Sequence, residues 1–370
     1  MIYIHVPFCE SFCTYCGFFS VVSRSVDAYA DAVCQEIEER REEIAKTLSV
    51  NTLYIGGGTP SVLPLDVLSK VIHALPGGDR WDEFTVEVNP EDIVEKGEEY
   101  VSGLIGLGVN RISMGIQSFD DGILRWMNRR HDSAKAEEAF HILRRCGVEN
   151  ISIDLIFGLP QLSEALWSET LDKALALGPE HISAYQLSVE EDSALERLIK
   201  RGKFTEATDD QCRSQYDCLC SRLAKAGYRH YEISNFALPG REAVHNSAYW
   251  RRVPYVGLGP GAHSLSSCSV RSWNSEVIPR RLRDCSIKTY SREEEILTPE
   301  DIRIERIMLP LRTDNGLPEA ELRSLAGDTT VDLLLSEGVL ERSIGLSKDP
   351  SIRIPEDHFF TSDDIIRQLI

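Results

Sequence analysis

Short runs of β-branched and aromatic residues alternate with longer amphipathic stretches through the first half of the chain. Each run has the length and composition of a strand, and each interval has the apolar spacing of a helix. Successive strand–helix units without a long antiparallel section favour a parallel sheet, either doubly wound or curled into a full or partial barrel. The predicted strands are residues 2–6, 52–55, 84–88, 111–116, 152–157 and 181–187, and the predicted helices are residues 26–44, 65–75, 98–107, 134–146 and 165–177.

Polar side chains follow each predicted strand at its carboxyl end. Barrel proteins build their sites from these ends, so the pattern favours the barrel over the doubly wound sheet. Because eight full units are not recognisable, we predict an α/β fold of the incomplete (β/α)6 TIM type over residues 1–235. In chain order, the predicted strand ends carry Cys9, the GGGT run of residues 56–59, Glu87 with Asn89, Gln117, Asp154, and Gln186 with Ser188.

The remaining chain divides into two predicted segments. Residues 236–297 contain many Gly, Pro, His and aromatic residues in their first part, which predicts an ordered connecting segment. Residues 298–370 predict a small winged-helix-like domain. Its predicted elements are helices at residues 299–309, 319–326 and 331–337, a hairpin at residues 340–344 and 351–355, and a last helix at residues 362–369.

The charge balance of the chain is acidic. Lys plus Arg number 40 and Asp plus Glu number 59, giving a net charge of −19. This is the wrong sign for neutralising a phosphate backbone, so nucleic acid is not expected as a primary partner. No apolar run approaches the roughly 18 to 20 residues that cross a bilayer, and the first residues lack the features of a signal peptide. We therefore expect a cytoplasmic protein, in which clustered cysteines bind metal or act in catalysis.

Three cysteines, Cys9, Cys13 and Cys16, form a C-x3-C-x2-C motif directly after the first predicted strand. Their spacing allows three thiolates to face one metal centre. Iron–sulfur clusters usually take four Cys ligands, so three leave one iron open for a small molecule. Structural zinc is the alternative; it takes four Cys or His ligands, and His5 is the candidate for the fourth.

This motif at the end of the first strand resembles the radical S-adenosylmethionine (SAM) superfamily. In that superfamily three cysteines hold a 4Fe-4S cluster, and the amine and carboxylate of SAM bind the fourth iron. The resemblance implies that Cys9, Cys13 and Cys16 hold the cluster. Alone, each polar strand-end residue is more often an ordinary loop residue than a ligand, but together they fit a cofactor site. The SAM candidates are Tyr3, Tyr15, Gly57, Gly58, Thr59, Glu87, Gln117, Arg129, Asp154 and Ser188.

Longer segments narrow the resemblance. Residues 3–9, 54–61, 87–90, 115–119 and 154–160 resemble the oxygen-independent coproporphyrinogen III oxidase group, which oxidatively decarboxylates porphyrinogen propionates. The oxidase pattern has another cysteine two residues after the third, where this chain has Phe18. Because Phe18 replaces this cysteine, we predict that the chain lacks the coproporphyrinogen III oxidase (dehydrogenase) activity of that group.

The sequence HNSAYW at residues 245–250 matches an H-N-x-x-Y-W motif that resembles the HemW-type heme chaperones. The resemblance implies a chaperone that binds heme, with a SAM-liganded cluster, and passes the heme to apo-proteins. A radical SAM coproporphyrinogen III oxidase is the alternative, and a radical SAM enzyme acting on another tetrapyrrole is a third hypothesis.

The candidate heme contacts are His245, Tyr249, Trp250 and His263. A neutral imidazole is a good axial ligand of heme iron, and aromatic rings offer flat apolar surface to a porphyrin. A histidine beside aromatic residues is, however, more often buried and hydrogen-bonded for structural reasons. The expected acceptors include membrane respiratory enzymes, with peripheral membrane association of the chain, and a homodimer formed with the cluster or heme is kept as an expectation.

Overall fold

The computed structural model describes residues 1–22, 26–76, 80–191, 193–276, 291–344 and 349–370. Within these residues the main sheet has nine strands. They are β1 (Ile2–Val6), β2 (Thr52–Gly57), β3 (Glu83–Val88), β4 (Arg111–Gln117), β5 (Ile151–Phe157), β6 (His181–Gln186), β7 (Arg229–Glu232), β8 (Asn235–Ala237) and β9 (Val256–Leu258).

Strands β1 to β6 lie side by side in chain order, and each pairs in parallel with the next. Strand β9 adds a parallel edge beside β1, while β7 and β8 close the other edge in antiparallel pairing. The six parallel strands with intervening helices confirm the predicted incomplete α/β barrel. Because parallel strands end together, the polar residues of these ends share one edge of the barrel.

The helices cover the outer face of the barrel and form most of the carboxyl-terminal part of the chain. They are α1 (Val26–Glu39), α2 (Arg41–Thr47), α3 (Leu65–Ala74), α4 (Pro90–Gly106), α5 (Asp121–Trp126), α6 (Ser133–Arg145), α7 (Glu164–Leu177), α8 (Ala194–Lys200), α9 (Asp209–Lys225), α10 (Val244–Trp250), α11 (Pro299–Leu311), α12 (Glu319–Ala326), α13 (Asp328–Ser336) and α14 (Ser362–Ile366), with short 3-10 helices at Pro60–Val62 and Glu356–Thr361.

Two helix predictions were wrong in their bounds. The single helix expected over residues 26–44 is divided at Arg40, whose buried guanidinium binds Glu36 and the carbonyl of Gly257. Helix α4 begins at Pro90, not at residue 98. Gly97, with φ 64°, interrupts its regular geometry, so the apolar helical spacing is visible only in the second half.

The segment after residue 235 contains more regular structure than the ordered loop we expected. It supplies β9 and α10 to the barrel, and also a three-stranded antiparallel sheet of β10 (His263–Ser266), β11 (Val270–Asn274) and β12 (Arg292–Ile296). Residues 277–290 of this segment lie outside the described residues. The domain bounds at residues 235 and 297 stay predictions.

The last part of the chain combines helices α11 to α14 with a small antiparallel sheet of β13 (Leu317–Pro318), β14 (Glu341–Ile344) and β15 (Pro350–Arg353). Leu322, Leu334 and Ile352 are fully buried between these helices and strands. The arrangement of helices beside a short sheet agrees with the predicted winged-helix-like domain. In the described ranges, no helix combines the length and apolarity that a membrane crossing requires.

Glu232, the last residue of β7, is a buried carboxyl with few partners. Its side chain is 1% exposed, and its Oε2 accepts a hydrogen bond of 3.4 Å from the Ser234 amide. Its Oε1 has no hydrogen-bond partner among the described residues. Burial raises the pKa of Glu232 to about 7 from 4.5. The carboxyl is therefore protonated in the fold at pH values where the unfolded chain already ionises it.

This difference makes stability fall as the pH rises from about 4.5 to about 7. We expect Glu232→Gln, which removes the ionisation, to raise the free energy of unfolding at pH 8 by about 3 kcal/mol, and by much less at pH 5. Urea unfolding followed by circular dichroism at both pH values measures the effect. Glu99→Gln, at an exposed position, is the control. An equal gain at both pH values would contradict the assignment.

Candidate functional site

A cavity of about 720 Å³ opens at the carboxyl ends of the parallel strands and extends into the barrel. Cys9, Cys13 and Cys16 lie at this cavity, as the sequence predicted for strand-end residues. Tyr3 lies outside it, on β1, where its hydroxyl contacts His5 Nδ1 at 3.0 Å. The SAM candidates that line the cavity are Tyr15, Gly57, Gly58, Thr59, Glu87, Gln117, Arg129, Asp154 and Ser188.

The cysteine loop is closed by backbone hydrogen bonds. The Cys9 amide donates to the Val21 carbonyl at 3.0 Å, and the Val21 amide donates to the Pro7 carbonyl at 2.7 Å. Cys9 Sγ contacts Thr59 Oγ1 at 3.5 Å, and Arg129 Nη1 donates to Cys13 Sγ at 3.4 Å. The loop therefore holds its thiols against the ends of β2 and β4.

Burial disfavours the thiolate forms of Cys9 and Cys16. It raises the pKa of Cys9 and raises that of Cys16 to about 11. The neighbouring thiols raise these pKa values further, while Arg129 lowers them. A metal centre supplies the positive charge that stabilises such thiolates, so metal binding displaces their protons.

His5 is not aimed at the cysteines as a fourth zinc ligand would be. Its Nδ1 contacts the Tyr3 hydroxyl at 3.0 Å, and its Nε2 contacts the Phe19 carbonyl at 2.9 Å. No three His, Cys, Asp or Glu side chains in the described ranges are grouped so that they could bind one metal ion. A cluster places each thiolate on a different iron, and this donor set of three thiols suits that ligand better than zinc.

The glycine run after β2 packs directly against the cysteine loop. A Cβ on Gly58 would lie 2.6 Å from the Phe8 carbonyl oxygen and 3.1 Å from Cys9 Sγ. Gly57 has φ 109°, and its amide donates to Glu87 Oε2 at 3.1 Å. The glycines therefore allow close backbone approach at the cavity wall, where a side chain would displace the loop.

Two carboxyl groups lie inside the cavity beside the glycine run. Glu87 Oε1 accepts a hydrogen bond of 2.7 Å from the Tyr54 hydroxyl, and Asp154 Oδ2 accepts one of 3.4 Å from Ser113. Burial raises the pKa of Glu87 to about 7 and also raises the pKa of Asp154. Cationic ligand groups would favour the ionised form of both carboxyls.

Arg129 is the cation next to the cysteines. Its Nη2 donates to the Gly115 carbonyl at 2.6 Å, while its Nε is buried with no hydrogen-bond partner among the described residues. Gln117 has φ 69° at the register shift between β4 and β5, which ends the regular strand pairing beside this arginine. Strained backbone of this kind concentrates at functional sites.

The H-N-x-x-Y-W motif lies on α10 at the opposite end of the barrel. Glu83, the first residue of β3, accepts the backbone amides of Val244 and His245 at 2.8 and 2.9 Å. His245 Nδ1 contacts Oγ1 of Thr52, the first residue of β2, at 2.9 Å. Strand β2 spans about 17 Å between this end and the glycine run. The motif histidine is therefore remote from the cysteines.

The heme candidates do not form one group in this conformation. His245 is 1% exposed, and its Nε2 contacts the Tyr249 hydroxyl at 2.9 Å, so both ring nitrogens have partners. Burial lowers the pKa of His245 to about 3, which keeps the ring neutral. Trp250 lines a separate cavity of about 240 Å³ between α10 and the carboxyl-terminal sheet. His263 is exposed and stacks on Trp273.

Sequence reasoning missed several residues of the main cavity. Arg111, Ser113, Tyr54 and Tyr185 line its interior, and Asn246 reaches it from the motif helix. Arg111 carried a usable signal, because an arginine inside a predicted buried strand requires an explanation. The other residues carry no such signal, and only the folded partial barrel shows that they line the cavity.

A partial barrel with three cysteines after its first strand defines a radical SAM protein, and residues 3–174 match the family described as the radical SAM superfamily. The heme chaperone HemW of Lactococcus lactis is 34% identical over 321 residues, which cover 85% of this chain and 82% of that protein. The HemW of Synechocystis is 37% identical over 341 residues, which cover 87% of this chain and 80% of that protein. This chain belongs to the HemW heme chaperone family of radical SAM proteins.

The solved structure of the Escherichia coli coproporphyrinogen III oxidase HemN, a radical SAM enzyme, shares the fold. It matches all of this chain and 89% of its own chain, with a TM-score of 0.80 and 22% sequence identity. The predicted fold and family are confirmed. Membership in the radical SAM superfamily brings a 4Fe-4S cluster and SAM as cofactors.

Proposed function

We propose that this chain is a heme chaperone, which binds heme and delivers it to acceptor proteins. The observation that carries the proposal is its 34–37% identity to proteins named heme chaperones, over at least four fifths of their length. The H-N-x-x-Y-W helix, which closes the amino end of the barrel, supports it. The proposal also includes four expectations from the sequence. They are a cytoplasmic location, membrane respiratory enzymes as acceptors, peripheral membrane association and a homodimer.

Cys9, Cys13 and Cys16 hold the cluster in this proposal, because their thiols lie at one cavity, which no described histidine lines. When bound, the cluster supplies an electron and one open iron site for SAM. Glu87 and Asp154 offer anionic groups to SAM, and Arg129 offers a half-buried cation whose buried Nε has no hydrogen-bond partner among the described residues. The barrel wall around them lowers the local dielectric constant, which strengthens each of these polar contacts.

His245 is the proposed heme ligand. To bind the iron, its Nε2 must give up its hydrogen bond with the Tyr249 hydroxyl. The ring is already neutral, which is the form that binds a metal. Its Nε2 is held by the Tyr249 hydroxyl at 2.9 Å, on the same helix. Removing that hydroxyl leaves the aromatic ring in place but frees the nitrogen. The two residues therefore offer substitutions with opposite expected effects.

We expect hemin to bind the anaerobically reconstituted protein saturably and near one per chain, as followed by Soret difference absorbance. His245→Ala is expected to raise the Kd at least about tenfold through loss of an iron ligand. Tyr249→Phe is expected to lower the Kd about two- to tenfold, because the competing hydrogen bond is gone. A second stage follows transfer of the bound heme to membranes that contain an apo-oxidase.

His141→Ala is the matched control, since this histidine is exposed on α6 and remote from the motif. Unchanged Kd values in both motif variants would remove His245 from the site. Absence of saturable hemin binding by the unmodified chain would contradict the chaperone proposal. The oxidase hypothesis would then be tested with coproporphyrinogen III, SAM and a reductant.

A further inference from the structure

Arg111 is a buried arginine that forms no ion pair with any described residue, and it lines the main cavity together with the SAM candidates. Its side chain is 2% exposed. Its Nη1 donates a long hydrogen bond of 3.5 Å to Thr85 Oγ1, and its Nε has no partner among the described residues. No described carboxylate lies within 4 Å of its guanidinium. Burying a charged group in this way is costly unless a partner arrives.

The surroundings of Arg111 do not supply that partner. The charge of Arg111 contributes to the pKa shifts of Tyr54, Glu87, Asp154, His181 and Tyr231, so these titratable groups lie within electrostatic range of its guanidinium. Glu87 accepts a hydrogen bond from the Tyr54 hydroxyl and Asp154 accepts one from the Ser113 hydroxyl, and neither carboxyl forms an ion pair with Arg111 among the described residues. Tyr54, His181 and Tyr231 are neutral groups in the fold.

The position of Arg111 separates it from the cluster. It is the first residue of β4, whereas Arg129 binds the carbonyl of Gly115 near the end of that strand. About 13 Å of extended backbone lies between the two strand positions. Asn246, from the motif helix, lines the same cavity as Arg111. A ligand that contacts Arg111 therefore reaches past SAM, toward the amino end of the barrel.

We propose that Arg111 binds a propionate carboxylate of a tetrapyrrole that enters this cavity. A guanidinium with free donors binds a carboxylate through paired, charge-assisted hydrogen bonds. The cavity volume of about 720 Å³ lies in the range of ligand sites, and its wall includes the aromatic rings of Tyr54 and Tyr185. The choice of a tetrapyrrole rests on the proposed function. The need for an anionic ligand rests on Arg111 alone.

Binding measurements with three ligands test this proposal on the reconstituted chain. Hemin and metal-free coproporphyrin III carry propionates, whereas iron octaethylporphyrin carries no carboxylate. We expect Arg111→Gln to raise the Kd of hemin and of coproporphyrin III about 10- to 100-fold, and to leave that of iron octaethylporphyrin unchanged. Arg111→Lys should restore part of the affinity, since it keeps the charge but loses the paired geometry.

Arg125→Gln is the matched control, because it removes a positive charge from an exposed residue of α5 that does not line this cavity, and it should leave all three Kd values unchanged. Equal Kd values for hemin in the unmodified chain and Arg111→Gln would overturn the proposal. A similar loss for iron octaethylporphyrin would overturn it as well. If coproporphyrin III binding depends on Arg111 while hemin does not bind, the chaperone proposal fails and this one stands.

The melting temperature of ligand-free Arg111→Gln gives a second readout. A buried guanidinium whose role is to bind a ligand destabilises the ligand-free fold. We therefore expect Arg111→Gln to have a melting temperature no lower than that of the unmodified protein. A structural arginine would behave in the opposite way. A clear fall in melting temperature, or failure to fold, would assign Arg111 to the packing of the barrel and overturn the proposal.

Discussion

Alanine at Cys9, Cys13 or Cys16 is expected to abolish the iron–sulfur absorbance of the anaerobically reconstituted protein. The three thiols line one cavity, and burial raises the pKa of Cys9 and of Cys16, so a metal centre is needed to hold these two as thiolates. With three protein ligands, the loss of one leaves two irons without a protein thiolate. Iron and sulfide content, together with the absorbance spectrum, measure the effect.

Cys34→Ala is the matched control for this experiment. Its thiol is partly exposed on α1 and makes one weak contact, 3.7 Å to the Lys70 carbonyl, outside the cysteine loop. The Cys34→Ala variant should retain the iron and sulfide content of the unmodified chain. Wild-type content in all three loop variants would refute the assignment of the cluster ligands. Iron loss in Cys34→Ala as well would indicate misfolding, so circular dichroism accompanies each spectrum.

The barrel was predictable from sequence because the same hydrophobic pattern recurs in every strand–helix unit. Each parallel strand is buried on both faces and each helix packs one apolar face on the sheet, so the change in period marks every unit. Local backbone exceptions were not predictable in the same way. Gly97 hid the first half of α4, and the buried guanidinium of Arg40 divided a helix that looked continuous. A local backbone conformation decides the first case, and a tertiary contact to the Gly257 carbonyl accompanies the second.

The candidate site was predictable from sequence where the strand order alone places residues side by side. Strand ends meet at one edge of a parallel sheet, so Cys9, Glu87 and Asp154 were expected together and lie together. Tyr3 was placed with the SAM candidates but lies outside their cavity, because its hydroxyl points to His5.

The heme candidates show the limit of motif spacing. A motif fixes which residues of a helix are neighbours, but it does not fix the end of the barrel at which the helix packs. His245 and Tyr249 are in contact through that spacing, whereas the position of α10 below β2 and β3 depends on Thr52 and Glu83. Those two residues are far away in the sequence, and their chemistry is too common to identify a partner.

Loss of the Arg129 guanidinium is expected to weaken SAM binding while the cluster stays in place. Arg129 is half-buried, its guanidinium binds Cys13 Sγ and the Gly115 carbonyl, and its buried Nε has no partner among the described residues. A cation at this position favours an anionic or strongly polar group of the cofactor, through charge-assisted hydrogen bonds. We expect Arg129→Gln to raise the Kd of SAM about 10- to 100-fold, as measured by equilibrium dialysis.

Arg129→Lys separates charge from geometry, because a lysine keeps the positive charge and loses the planar set of donors. Its Kd should lie between those of the unmodified chain and Arg129→Gln. Arg125→Gln, at an exposed position on α5, removes an arginine from the same helix region and should bind SAM normally. Iron content is measured first in each variant. A full cluster with unchanged SAM affinity in Arg129→Gln would show that the Arg129 guanidinium serves the cysteine loop and not the cofactor.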